Sequence, residues 1–258
     1  MKKLLSLLLA GLLAFAFVGC GANDKDSDYI KANKKLVIGI TNFAPMDYPQ
    51  DGDWIGFDAD MAKAFAESLG CKAEFIEIDW DNKLLELNNK SIDCVWNGMT
   101  LTDEVKKGME ATNAYCNNAQ VVVVPKKVAD KYADKESLKD LTFAVEAGSA
   151  GEDAAKELGC EYTAVTAQSD AVKEVAAGTS DAAIIDLLMA GAMIGEGTSY
   201  KDLAYTVKLT SEEYGAGFRK GSDLAGLLND FFKKSYADGT MIEIAKKYGV
   251  QESLIEQK

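Results

Sequence analysis

Residues 118–125 read Asn-Ala-Gln-Val-Val-Val-Val-Pro, and this run decides how the chain is divided. Four consecutive β-branched residues indicate a strand that is buried on both of its faces. Predicted strands and helices alternate before this run, and the alternation starts again after Pro125. Such alternation is typical of α/β folds with parallel strands. We therefore predict two α/β units, and the valine-rich strand is where the chain crosses from one to the other.

The unit before the crossing has the pattern of a parallel βαβ arrangement. Its first predicted helix repeats Met61, Phe65 and Leu69 at every fourth position and stops at Gly70. The predicted elements are strand 36–40, a helix from 58, strand 73–78, helix 82–88 and strand 92–96.

The unit after the crossing repeats this layout without a detectable sequence repeat. The chain ends in two helical patterns that follow its last strand region. The predicted elements are strand 142–145, helix 149–158, strand 161–165, helix 170–177, strand 181–185, a helix from 187, strand 204–209 leading into 214–219, and helices 222–237 and 241–248.

Composition bounds the function. The 258 residues are 48% hydrophobic and 27% charged, which suits one large or two modest domains. A formal net charge of −13 at pH 7 repels nucleic acid and anionic lipid head groups, and we exclude both as partners. The chain has no histidine, which rules out a Ser-His-Asp triad and a His-ligated metal site. We expect neither a metal nor a cofactor.

The first residues have the pattern of an export signal. Two lysines precede an apolar run at 4–18 that is short for a membrane span. The Gly-Cys pair at 19–20 resembles a lipobox, where the signal is removed and the cysteine is lipidated. We predict a signal peptide at 1–19, a lipidated Cys20 and a polar, aperiodic tether at 20–35, which hold the protein outside the cytoplasm at the membrane. An ordinary secretory signal with an incidental cysteine is the alternative.

The remaining cysteines are Cys71, Cys94, Cys116 and Cys160, which lie in or beside apolar segments without CxxC spacing. Export permits disulfides, but the sequence alone gives no pairing. A disulfide and buried free thiols both stay open.

Eight short stretches resemble the solute-binding proteins of polar amino-acid ABC importers, the bacterial extracellular solute-binding proteins of family 3. They occur in family order between about residues 36 and 249. These stretches are 43–48 (FAPMDY), 56–62 (GFDADMA), 79–81 (DWD), 98–104 (GMTLTDE), 146–152 (EAGSAGE), 181–186 (DAAIID), 214–220 (YGAGFRK) and 238–240 (DGT).

The resemblance implies a two-lobed, periplasmic-binding-protein-like α/β fold (a Venus flytrap) in which the chain crosses twice between lobes. Lobe one would comprise residues 36–123 and 212–258, and lobe two residues 126–209. A small ligand would sit in the cleft between the lobes, which close on it by a hinge motion.

Lobe one offers five candidate ligand-binding residues. Phe43 opens a loop at the carboxyl end of a strand, where α/β sheets place ligands, and Trp80 follows another strand. Asn97, Gly98 and Thr100 belong to a predicted strand-to-helix loop that, by resemblance, takes the α-amino and α-carboxyl groups of a ligand. Core packing for the aromatics and a plain turn for the loop are the alternatives.

Lobe two offers four more. Ser149 and Glu152 form a capping box at a helix start, preceded by Gly148. The free N–H groups and the helix dipole there favour an anion, so we predict Gly148, Ser149 and Ala150 as ligand-binding. Asp186 ends a strand and, by resemblance, binds an α-ammonium group. Both positions have the alternative of merely capping their own helix.

The sequence departs from the family where an arginine usually clamps the α-carboxylate. Val105 stands at that position, and Lys106 lies about 100° further round the predicted helix. Arg219 is the single arginine, and the resemblance gives it no ligand contact. This departure predicts either weak amino-acid affinity or a ligand without a free α-carboxylate.

We expect a lipid-anchored, monomeric receptor that delivers an amine-bearing solute, foremost an amino acid, to the permease of an ABC importer. Asp47, Glu104 and Glu146 favour a cationic or zwitterionic ligand if they face the cleft. An exported dehydratase-like enzyme on the same scaffold, with Glu146 as its acid or base, is one alternative. A ligand-sensing or adhesive lipoprotein that serves no transporter is the other.

Overall fold

The computed structural model describes residues 25–258. The predicted signal peptide at 1–19 and the predicted lipidation of Cys20 lie outside the described residues. Within 25–258, no helix has both the length and the apolar character needed to cross a membrane.

The chain alternates strands and helices as predicted. The strands are β1 (Lys35–Ile40), β2 (Tyr48–Gln50), β3 (Asp53–Ile55), β4 (Lys72–Glu77), β5 (Cys94–Thr100), β6 (Glu110–Ala111), β7 (Cys116–Asn118), β8 (Gln120–Pro125), β9 (Phe143–Glu146), β10 (Tyr162–Val165), β11 (Ala182–Asp186), β12 (Leu203–Lys208) and β13 (Glu212–Phe218). The α-helices are α1 (Asp26–Asn33), α2 (Phe57–Ser68), α3 (Lys83–Asn88), α4 (Asp103–Gly108), α5 (Ala150–Leu158), α6 (Gln168–Ala177), α7 (Leu187–Met193), α8 (Leu224–Ala237) and α9 (Thr240–Tyr248). Short 3-10 helices cover Trp80–Asn82, Lys126–Lys131, Glu136–Leu138 and Gln251–Ser253.

The first lobe is built on a sheet of order β4-β1-β5-β13-β6, with β7 also paired to β13. β1 runs parallel to both β4 and β5, which confirms the predicted βαβ arrangement. The antiparallel strand β13 enters between β5 and β6 after the chain returns from the second lobe. In α2, Met61 and Phe65 of the predicted repeat are fully buried.

The second lobe is built on a sheet of order β10-β9-β11-β8-β12. The valine run forms β8, whose alternate residues pack into two different core clusters, so both of its faces are covered as predicted. The predicted end of lobe one at residue 123 was wrong, because β8 pairs with β11 and β12 from Gln120 onward. The chain crosses one element earlier, at Ala119 between β7 and β8, and it returns between β12 and β13.

The predicted tether at 20–35 is contradicted at Asp26–Asn33, which forms α1. Ile30 of this helix is fully buried, and the Ser27 hydroxyl donates a 2.6 Å hydrogen bond to Asp223. Asp26 lies 3.4 Å from the Arg219 guanidinium. Charge and low periodicity suggested a free segment, whereas these long-range contacts hold it against lobe one.

The four cysteines within residues 25–258 are free and buried, which decides the question that the sequence left open. Burial raises the pKa of the Cys71, Cys94, Cys116 and Cys160 thiols. Thiols that stay protonated are poor nucleophiles and poor metal ligands, so these residues serve packing.

Candidate ligand site between the two lobes

A small cavity of about 40 Å³ lies between the two sheets, at the carboxyl ends of their strands. Its lining comes from both lobes, which is the arrangement that a hinged closure around a solute requires. All nine residues predicted to bind ligand line this cavity: Phe43, Trp80, Asn97, Gly98, Thr100, Gly148, Ser149, Ala150 and Asp186.

The two aromatic candidates form part of the cavity wall. Phe43 follows β1 and packs edge-on against Tyr214, with 6.3 Å between ring centroids. Trp80 begins a 3-10 helix after β4, and its ring lies under the Lys83 ammonium at 5.0 Å. Both side chains are buried, so each packs in the core and also presents a face to the cavity.

Asn97, Gly98 and Thr100 do not form the predicted strand-to-helix loop, because β5 continues through Thr100. The strand is extended by pairing with β13, in the register Thr100 to Tyr214. Gly98 has φ +54°, and a Cβ there would lie 2.4 Å from the Phe43 ring. A glycine is therefore required for the backbone to pass so close to the cavity wall.

Polar groups of this strand are largely satisfied by the protein itself. The Asn97 side chain accepts hydrogen bonds from the Thr41 amide and hydroxyl, and it donates to Asp47 at 2.8 Å. The Thr100 hydroxyl donates to Glu212 at 3.0 Å. Asn97 thus supports the shape of the site, which is a role that spacing alone does not reveal.

Two buried acids stand behind this wall. Asp58 accepts hydrogen bonds of 2.6 Å from the Gly98 amide and from the Tyr115 hydroxyl. Burial, the largest effect, raises the pKa of Asp58 to about 7, and burial together with the Asp58 charge raises the pKa of Asp47 well above its usual value. Asp47 lies outside the cavity lining, unlike Glu104 and Glu146, so its suggested role in the cleft was wrong.

The start of α5 forms the second-lobe wall. The Ser149 hydroxyl accepts a 3.2 Å hydrogen bond from the Glu152 amide, which confirms the predicted cap. Glu152 in turn accepts from the Gly148 amide at 2.7 Å, one residue earlier than in a standard capping box. Capping and lining of the cavity therefore coexist at this position.

Lys83 is a cavity residue that the sequence analysis missed. It lies in the first turn of α3, and its ammonium donates to the Gly148 carbonyl across the cleft at 2.8 Å and to the Trp80 carbonyl at 3.2 Å. Burial lowers its pKa, an effect that nearby Glu104 and Glu146 oppose. The sequence did contain one indication: Lys83 follows the predicted ligand-binding residue Trp80 by three positions, a spacing that puts two side chains on the same face of a helix.

Asp186 ends β11 and is buried in the cavity floor. Its carboxyl group accepts from Tyr214 at 2.5 Å and from Gln120 at 3.1 Å, and also from Asn118 and Gln168. Burial is the main effect that raises its pKa to about 7, with the Glu212 charge second. The side chain makes no capping bond to α7, so the capping alternative was wrong.

The position usually taken by the clamping arginine is apolar. Val105 lies in α4, is 3% exposed and lines the cavity. Arg219 lies elsewhere in lobe one, where it donates to the Ile92 carbonyl and to Asp93. The site therefore has no arginine, and Lys83 is the cation of its lining within residues 25–258.

Two α/β lobes, two crossing segments and a cavity lined from both sides define a two-lobed solute-binding protein. The profile of the bacterial extracellular solute-binding proteins, family 3, matches residues 36–251. The chain belongs to this family, as its sequence motifs indicated.

Similar proteins cover nearly the whole chain. The arginine-binding extracellular protein ArtP of Bacillus subtilis is 33% identical over 260 residues, which cover 96% of this chain and 98% of that protein. A Streptococcus pneumoniae ABC uptake transporter substrate-binding protein, solved with bound histidine, has a TM-score of 0.81 and 28% identity, covering 91% of this chain and 100% of the other. An ancestral amino acid-binding protein, a precursor of cyclohexadienyl dehydratase, has a TM-score of 0.78 and 31% identity, covering 87% and 99%.

Proposed function

We propose that this protein binds an amino acid between its lobes and delivers it to the permease of an ABC importer, held at the membrane by a lipid on Cys20. The observation that carries the proposal is the buried cavity lined by residues from both lobes, with the Asp186 carboxyl group in it. Similarity to proteins named for arginine and histidine binding supports an amino acid as the solute.

The cavity supplies a partner for each part of an amino acid. Asp186 offers a carboxylate for the α-ammonium group, which would replace one of the side-chain donors that now bind it, such as Gln168 or Tyr214. The first turn of α5, at Ser149 and Ala150, offers amide N–H groups and a helix dipole for the α-carboxylate. Phe43 and Trp80 flank the remaining space.

A thermal-shift screen over the common amino acids, followed by calorimetry, tests the proposal. At a ligand concentration of 100 times Kd, binding stabilises the folded state by about 2.7 kcal/mol, which raises the melting temperature by several degrees. Asp186→Ala is expected to abolish that rise. Asp130→Ala, which removes an exposed acid of the same lobe, is the matched control. The proposal is refuted if no amino acid in the screen raises the melting temperature of the wild-type protein.

A dehydratase-like enzyme is the second candidate, because Glu146 is a buried carboxyl group whose pKa burial raises to about 8. The similarity to a precursor of a dehydratase also favours testing it. Mass spectrometry of the bound solute after long incubation separates the two: an unchanged solute supports the receptor, and a dehydrated product supports the enzyme.

A further inference from the structure

Glu146 has an acceptor that the protein leaves unused. It stands at the carboxyl end of β9, is 2% exposed and lines the cavity. Its Oε1 atom is buried without a hydrogen-bond donor among residues 25–258. Leaving a buried polar atom unpaired destabilises a protein by about 1–3 kcal/mol, and more for a charged group, so an oxygen kept in this state is available to a ligand.

The neighbouring acid Asp186 differs from Glu146 in the number of its hydrogen-bond donors. Asp186, on the adjacent strand β11, accepts hydrogen bonds from four side chains within residues 25–258. The groups that face Glu146 are the Asp186 carboxyl, the Gln168 side chain at the start of α6, and the Lys83 ammonium from α3 of the opposite lobe. Lys83 is itself committed to two backbone carbonyls, so it does not neutralise Glu146 by direct contact.

Acidic groups outnumber cations around the cavity. Glu104, Glu146, Asp153 and Asp186 contribute to its lining, against Lys83 alone within residues 25–258. A cation in the cavity favours the ionised form of these acids, so a solute with one positive charge beyond its α-ammonium group suits this lining better than a neutral or acidic solute does.

We propose that Glu146 is the specificity-determining residue of the site and accepts a hydrogen bond from a cationic N–H group on the ligand side chain, so that the solute is a basic amino acid. This inference rests on the proposed function and adds to it the chemical class of the side chain. Charge-assisted hydrogen bonds are roughly twice as strong as neutral ones, so the pairing discriminates by charge as well as by shape.

Binding of a cationic side chain would also change the protonation of Glu146. Burial raises the pKa of Glu146 to about 8, with Asp186 adding to the effect and Lys83 opposing it. The group is therefore mostly protonated at pH 7, and a cation placed at Oε1 favours the ionised form. A cationic side chain then releases up to about one proton from Glu146 on binding at pH 7, whereas a neutral side chain of the same shape leaves this group protonated.

L-arginine and L-citrulline are suitable probes, because they share length and shape but only arginine is charged. Calorimetry with the wild-type protein is expected to give a Kd for arginine at least tenfold below that for citrulline. In Glu146→Gln the ratio is expected to approach one while citrulline still binds. Glu157→Gln, which makes the same change at an exposed position on α5, is the matched control and keeps the wild-type ratio.

Proton release gives a readout that needs no variant. Arginine titrations at pH 7 in two buffers of different ionisation enthalpy are expected to release more protons than citrulline titrations. Equal Kd values and equal proton release for the two amino acids overturn the role of Glu146 but leave the proposed function standing. Absence of binding by every amino acid overturns the proposed function, and the inference falls with it.

Discussion

Replacing Gly148 with alanine is expected to stop the lobes from closing fully. A Cβ atom at position 148 would lie 2.7 Å from Asp81 Cα, which belongs to the opposite lobe. Two carbon atoms in contact require about 3.5–4.0 Å, so closure is held back by about 1 Å. Asp81 Cα is part of the backbone and has no rotamer by which it moves aside.

This displacement breaks the contact between the lobes at the same residue. The Lys83 ammonium donates to the Gly148 carbonyl at 2.8 Å, and an added 1 Å takes the pair beyond hydrogen-bonding distance. Hydrogen bonds to charged groups contribute about 1.5–3 kcal/mol, so Gly148→Ala is expected to raise the Kd of the ligand by about 10- to 150-fold. Isothermal titration calorimetry measures this change, and solution scattering measures the degree of closure.

Gly159 provides a matched control at the other end of α5. Gly148 has φ +67° and Gly159 has φ +70°, so alanine meets similar backbone strain at both positions, about 1–2 kcal/mol. Apart from Gly159 itself and its two chain neighbours, no residue within 25–258 has an atom within 4 Å of a Cβ placed on Gly159. If the two variants bind the ligand with the same Kd, strain alone explains the result and the steric argument is refuted.

Three further changes have defined outcomes. Lys83→Met removes the charged hydrogen bond to Gly148 across the cleft and is expected to speed ligand release about tenfold in stopped-flow measurements. An unchanged release rate would show that this bond does not hold the lobes together. Burial raises the pKa of Asp58 to about 7, so the folded state keeps a proton that the unfolded state loses near pH 4. The free energy of unfolding therefore falls as the pH rises from 4 through 7. Asp58→Asn is expected to flatten that slope in urea titrations, and an equal slope would place the proton elsewhere. Ile30→Ala is expected to weaken the packing of α1 against lobe one by about 2–5 kcal/mol. Hydrogen exchange of the amides at 26–33 should become faster, while the ligand affinity stays unchanged. Unaltered exchange would show that the polar contacts of the helix hold it in place.

Features that are local in sequence were predictable. The valine run needs only its own side chains to indicate a doubly covered strand, and β8 has that burial. The cap at Ser149 depends on residues three apart, and it forms as expected. The order of family-like motifs placed all nine candidate residues around one cavity, because the carboxyl ends of parallel strands share an edge.

Features set by contacts distant in sequence were missed. The sequence of α1 has the composition of a polar tether. It is held in place because Asp223, 196 residues away, accepts hydrogen bonds from the Ser27 amide and hydroxyl. β5 continues through Thr100 because β13 returns from the other lobe to pair with it. Lys83 becomes a cavity residue only when the lobes meet, since its partner carbonyl lies 65 residues further along the chain. No local pattern contains these pairings.

If Glu146 pairs with a cationic side chain as we propose, the charge of the solute, more than its shape, controls closure. Glu146 is 2% and Asp186 4% exposed where the lobes meet, and burial is the main reason that both acids have raised pKa values. That penalty opposes closure, while the bonds from Lys83 to Gly148 and from Tyr214 to Asp186 favour it. A ligand shifts the balance only by the difference in its free energy between the open and closed forms. A cationic side chain at Glu146 removes the penalty of that residue only in the form that buries it, so it supplies this difference. A neutral amino acid that fits equally well places its α-ammonium group at Asp186 but leaves the penalty at Glu146 in place. Val105 at the usual arginine position gives neither kind of solute a cationic clamp for its α-carboxylate.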